Sequence, residues 1–204
     1  MKIKWRNVAE ALAVIGGVAI GCVAAAHGFY TEPANNYNYK KYTAYTTEVF
    51  KEYEVPQEYQ AEGGKLDART QRRAWYACHM YGVSYPMVLA IIEAETGYKN
   101  ESVSSAGAVG YMQVIPNWHK NRMERLHADV NNPVDNIVIG IDYIAELQKH
   151  CSNEHYLLMA YNMGLSEATK MWERGIYTTE YSEYIVKREK EISDSLENQN
   201  FFLK

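Results

Sequence analysis

Two glutamates close an apolar run in this chain, and a loop punctuated by glycine follows them. The run reads Ala90-Ile-Ile-Glu93-Ala-Glu95-Thr96-Gly97-Tyr98, and the loop reads Ala106-Gly107-Ala-Val-Gly110-Tyr111-Met112-Gln113-Val-Ile-Pro116. A carboxyl group set against apolar surface has its charged form disfavoured, so its pKa rises and it can donate a proton near neutral pH. Gly97 is suited to stopping a helix. Gly107 and Gly110 can take backbone angles that other residues avoid, or let a ligand approach closely. Gln113 stands alone among apolar neighbours. Glu93 and Glu95 are two positions apart, so a helix points them to nearly opposite sides. Only one can face a groove, and spacing alone does not choose between them.

The full string carries more than its parts. Glu95-Thr96-Gly97-Tyr98, then Ser104, then Gly107-Ala108-x-Gly110-x-Met112-Gln113-x-x-Pro116 closely resembles the soluble lytic transglycosylase family, to which goose-type lysozymes are related. The match is ungapped, with Thr96 where the family usually has Ser and Tyr111 where it usually has Leu. Further on, Asn136-Ile137-x-x-Gly140-x-x-Tyr143-Ile144 and Ala160-Tyr161-Asn162-Met163-Gly164 resemble later motifs of the family. Glu180-x-x-x-Tyr184 resembles its last one. The resemblance spans Asp67 to about Ile192 and implies an all-α, lysozyme-like domain whose usual β-sheet subdomain is not evident.

What the resemblance implies for chemistry can be stated residue by residue. Breaking a glycosidic bond needs a proton for the leaving oxygen and stabilisation of positive charge at the anomeric carbon. Most glycosidases divide those tasks between two carboxylates; here the motif supplies only Glu95, as this family's reaction requires. Glu95 acts first as acid on the oxygen between N-acetylmuramic acid and N-acetylglucosamine. It then acts as base on the muramic 6-hydroxyl, which closes to a 1,6-anhydro sugar. Ser104, Gln113 and Asn162 are expected to bind substrate, Met112 to form an apolar wall, and Tyr161 and Tyr184 to hold substrate and Glu95. Glu180 is a weaker candidate, for the peptide stem. Glu93 becomes a surface or supporting residue. No metal or cofactor is implied, and the six His and three Cys show no ligand spacing. Two alternatives stay open: a hydrolytic muramidase of the same fold, with Glu124, Asp129 or Asp135 placing a water, and a non-catalytic wall-binding or assembly component.

The elements that must position these residues follow from helix signals. Asp67 can cap a helix through Ala74, Trp75, Cys78 and Tyr81 that Gly82 ends. Pro86 suits the first turn of the next, which delivers the glutamates. His119 to Val130 is expected to be a helix with a loop and carries no evident chemistry. Asn131 to Asn136 starts an amphipathic helix with Ile137, Ile141, Ile144 and Leu147 at helical spacing, and Gly140 permits close packing. A short helix follows from Tyr156 to Gly164. The last runs from about Thr179 to Leu196, with Tyr181, Tyr184, Ile185, Ile192 and Leu196 along one side.

Composition sets the outer bounds. The chain has 204 residues, 47% of them hydrophobic and 23% charged, which describes one globular domain plus extra segments. Its 18 tyrosines, against 4 Phe and 4 Trp, suit sugar contacts as well as half-buried positions. A net charge of -4 provides no basic field for a phosphate backbone, so nucleic acid is excluded as a partner. Lys2, Lys4 and Arg6 precede an uncharged run from Ala11 to Ala26, the pattern of an export signal. Residues 1–30 are expected to stay as a membrane anchor or to be cleaved after Ala26, and either leaves the domain outside the cytoplasm. Cys22 is only weakly similar to a lipoprotein signal. Residues 31–66 read as a Tyr-rich spacer, 67–197 as the catalytic domain and 198–204 as a tail. Cys78 and Cys151 could be free thiols or a disulfide. The expected partners are peptidoglycan glycan strands and the membrane, and the sequence leaves open whether a cell-envelope machine is another.

Overall fold

The computed structural model describes residues 65–202. Among these residues seven α-helices succeed one another: α1 (Ala68–Tyr81), α2 (Tyr85–Thr96), α3 (Lys120–Leu126), α4 (Pro133–Leu147), α5 (Glu154–Met163), α6 (Leu165–Glu173) and α7 (Glu180–Phe202). A 3-10 turn over Pro116–Trp118 precedes α3. Among the described residues there is no strand, only isolated antiparallel bridges pairing Val109 with Val103 and with Val114.

Local chemistry sets the helix ends. Asp67 accepts from the backbone amides of Arg69 and Thr70 and starts α1, and Gly82, with φ 65°, ends it. Ser84 caps α2 with Pro86 in its first turn, and Gly97 (φ 58°) ends that helix two residues after Glu95. Asn132 and Pro133 start α4, and Asn153 starts α5. α7 runs past the expected Leu196 and takes in the backbone of residues assigned to a tail.

α2 lies at the centre. Every residue from Met87 to Ile92 is buried, which is why this run is apolar all round and not striped. It packs chiefly against α7; α1 packs on α4, and α5 on α6 and α7. Leu89, Ile91, Ile92, Ile137, Ile141, Ile144, Leu158 and Ile185 are fully buried, each contributing about 1.5–3 kcal/mol by leaving water. The helix that carries the candidate acid is therefore fixed on most sides.

Two residues assigned to the spacer belong to the folded unit. Leu66 is 2% exposed within the core, and its carbonyl accepts from Gln71 Nε2 at 2.6 Å. Lys65 reaches Glu93 at 3.3 Å. The anchor expected over 1–30, with Cys22, and the rest of the spacer lie outside the described residues. No helix among the described residues is long and apolar enough to cross a membrane. Cys78 and Cys151 are free thiols.

Candidate active site

Glu95 sits one residue before the end of α2 and lines a cavity of about 650 Å³. Its Oε1 accepts a 2.8 Å hydrogen bond from the Tyr181 hydroxyl, so the acid proton belongs on Oε2. Burial pushes the Glu95 carboxyl up to about 7, against the lowering effect of the Tyr181 bond. The Tyr181 and Tyr161 hydroxyls are held well above their ordinary pKa, first by burial and then by the nearby Glu95 charge, so both stay protonated donors. Such a carboxyl is a proton donor at neutral pH that can also return as a base.

Glu93, two positions back, meets the opposite surroundings. Lys65 and Arg188 form ion pairs with it at 3.3 and 3.2 Å, and the Tyr184 hydroxyl donates to it at 3.4 Å. These partners place Glu93 in a supporting network that joins α2 to α7 and to Lys65.

These contacts correct one expectation. The last motif points Tyr184 at Glu95, yet its hydroxyl meets Glu93, and Tyr181 takes the place beside Glu95. The two tyrosines are one helical turn apart on the same side of α7. Where α7 packs on α2, the earlier one reaches Glu95 and the later one Glu93.

The glycine loop forms another part of the cavity lining. Ser104 Oγ accepts from the Ala108 amide at 3.0 Å, which leaves its own proton available to a ligand. Gln113 takes a left-handed backbone (φ 46°), and its Nε2 donates to the carbonyls of Ser102 and Gly110 at 3.2 and 3.1 Å. Those bonds orient the amide so that Oε1 is the atom left for substrate. Thr96, the departure from Ser, donates to the carbonyls of Ile92 and Tyr111 and so ties the end of α2 to the loop.

Asn136 secures the loop from behind. This fully buried side chain donates to the Val109 and Val130 carbonyls at 2.8 and 3.1 Å and accepts from the Met112 amide at 3.0 Å. Gly110 has φ 73°, and a Cβ there would lie 2.5 Å from Asn136 Nδ2. Only glycine meets both conditions.

The remaining candidates divide. Tyr161 and Asn162 line the cavity, and Tyr161 donates to the Met112 carbonyl at 2.8 Å. Met112 does not face it: the side chain is 1% exposed and packs against Gly140, where a Cβ would lie 2.5 Å from its Sδ. It backs the wall from the core because Gly140 makes room for it there. Glu180 is exposed in the first turn of α7 and is not part of the cavity lining, so the structure does not bring it to Glu95. Neither are Glu124, Asp129 and Asp135; the further acid in the lining is Glu146, which is paired with Arg122.

The stretch after Pro116 contributes Trp118, His119, Asn121, Arg122 and Arg125 to the lining, although from His119 to Val130 the sequence shows no chemistry. Behind them Asp142 holds Arg122 and Arg125, each at 2.6 Å. Burial opposes the charge of Asp142, but the bonds from Arg125 and Arg122 prevail and hold its carboxyl below the usual range.

The fold and site together define a helical domain in which an acid, a tyrosine bonded to it and a clamped glycine loop meet at one cavity. Residues 74–185, more than half of the chain, match the family model described as Transglycosylase SLT domain, and the chain belongs to that family. Relatives include two proteins named membrane-bound lytic murein transglycosylase C. That of Haemophilus influenzae (strain PittGG) is 23% identical over 121 residues, which is 52% of this chain and 34% of the relative. That of Sodalis glossinidius (strain morsitans) is 26% identical over 114 residues, 48% of this chain and 32% of the relative. The chain thus spans about a third of the length of the curated relatives it matches.

Proposed function

We propose that this protein is a peptidoglycan lytic transglycosylase in which Glu95 serves as acid and then as base. The observation that carries the reading is the Glu95 carboxyl itself, enclosed in the cavity, raised to about 7 and bonded by Tyr181. In the first step the proton on Oε2 goes to the oxygen between C1 of N-acetylmuramic acid and C4 of N-acetylglucosamine, and the C1–O bond breaks. In the second, the Glu95 carboxylate takes the proton of the muramic 6-hydroxyl while that oxygen bonds to C1. No water is consumed, and the enzyme ends as it began.

Around that cycle, Tyr181 fixes Oε1 and supports the carboxylate during the interval between steps. Ser104 Oγ and Gln113 Oε1 offer a donor and an acceptor to the sugar, and Tyr161 and Asn162 complete the substrate surface. Met112 acts through packing alone. A peptidoglycan substrate puts the domain outside the cytoplasm, in keeping with the basic start and uncharged run of residues 1–30, which we assign to membrane anchoring. Pairing of Glu146 with Arg122 disfavours it as the base of a hydrolase.

Clearing of purified sacculi by wild type, Glu93→Gln and Glu95→Gln tests the assignment. The account expects Glu95→Gln to lose at least ~100-fold in rate and Glu93→Gln to keep most of it. An active Glu95→Gln, or a folded but inactive Glu93→Gln, contradicts it.

A further inference from the structure

Trp118 is 62% exposed on the rim of the Glu95 cavity, an unusual position for an indole with no part in the core. The 3-10 turn holds its backbone in place, its amide donating to the Ile115 carbonyl at 3.0 Å. Beside it, His119 packs edge-on against Tyr143, with ring centroids 4.8 Å apart. His119 Nδ1 is paired with Arg122 Nη1. A guanidinium can only donate, so Nδ1 accepts and the ring proton must lie on Nε2. Burial, and next the Arg122 charge, lower the pKa of His119 to about 4, which keeps the imidazole neutral.

The charge of this end of the cavity is balanced. Arg122 and Arg125 are answered by Asp142 and Glu146, so their contacts do not add up to an anion site. A flat apolar face beside a neutral N–H donor instead fits a pyranose ring, whose C–H face stacks on aromatic surface while its oxygens accept hydrogen bonds.

We propose that Trp118 and His119 form a second saccharide subsite, which stacks a neutral N-acetylhexosamine of the same glycan strand on the indole and donates to it from His119 Nε2. The occupant is a sugar of the strand because this surface is continuous with the cavity that holds Glu95. The inference rests on the glycan-cleaving reading of that cavity. It adds which residues hold the strand away from Glu95: an exposed indole and a neutral imidazole N–H on the same cavity lining.

Binding to full-length Glu95→Gln protein tests this without cleavage. The probes are stem-free glycan strands and a neutral hexamer of N-acetylglucosamine, titrated with and without Trp118→Ala. Loss of the stacking face is expected to weaken both by roughly 10-fold, and Trp118→Tyr should restore most of the affinity. Affinity for the neutral hexamer should be insensitive to salt and flat from about pH 5.5 to 8, since His119 is neutral throughout. Trp118→Ala should melt with its parent, since the indole is exposed. Unchanged affinity in Trp118→Ala overturns the subsite, as does steeply salt-dependent binding of the stem-free strands with no binding of the neutral hexamer, which would mean that the muramic carboxylates are what is held. If wild type clears sacculi while Trp118→Ala binds strands normally, the subsite alone fails. If Glu95→Gln binds no saccharide and wild type clears nothing, both readings fail.

Discussion

Glu93 and Glu95 share a helix, yet α2 turns one toward two cations and the other toward enclosed apolar surface and a tyrosine. Because Glu95 must be protonated for the first step, kcat/KM should fall as pH rises through about 7. The Tyr181 bond favours the carboxylate, so Tyr181→Phe should move that fall to higher pH while lowering the rate by ~10- to 100-fold. Tyr184→Phe should leave the rate near wild type. A pH–rate profile of the three proteins checks all of this. Glu93→Gln should cost roughly 0.5–1 kcal/mol in urea unfolding, because its ion pairs are partly exposed and screened.

At the scale of elements, the acid is useful only if the glycine loop faces it, and one residue of α4 enforces that. Gly110→Ala combines a left-handed backbone with a clash against Asn136, and should cost about 2–3 kcal/mol and most of the activity, measured by thermal melting and sacculus clearing. The role of Asn136 follows from where three carbonyl and amide groups converge, which its place in a motif does not reveal. Glu95, Ser104, Gln113, Tyr161 and Asn162 stand out in the sequence as candidates because they sit in strings of fixed spacing, and the structure brings these five to one cavity. Tyr181 does not stand out, because two tyrosines one turn apart satisfy the same pattern until the packing of α7 on α2 is known. Met112 was misread for a related reason: a loop residue can face a groove or a core, and the gap left by Gly140 decides. Trp118 and His119 carried no signal, since one exposed aromatic in a charged stretch is ordinary until a cavity is seen beside it.

The helical class was readable from caps and apolar spacing, but the limits of the folded unit depend on contacts far apart in the chain. A truncation starting at residue 63 should fold and clear sacculi, whereas Leu66→Ala should lose about 2–4 kcal/mol in chemical unfolding. Stability should also depend on pH through a junction of three helices. On α7, Glu189 is pushed up to about 8, chiefly by burial and also by Glu154 at the start of α5, while Ser84 at the cap of α2 bonds its other side. A raised carboxyl contributes stability that is complete below its unfolded pKa near 4.5 and is lost as pH rises through about 8. Unfolding free energy should therefore decline across that window, and Glu189→Gln should flatten the decline. The central claim concerns what Glu95 does to a glycan strand, and mass spectrometry of peptidoglycan digested by the wild-type protein tests it most directly. The account predicts fragments ending in 1,6-anhydro-N-acetylmuramic acid that disappear with Glu95→Gln; reducing muramic ends, or anhydro ends that persist in that variant, would contradict it.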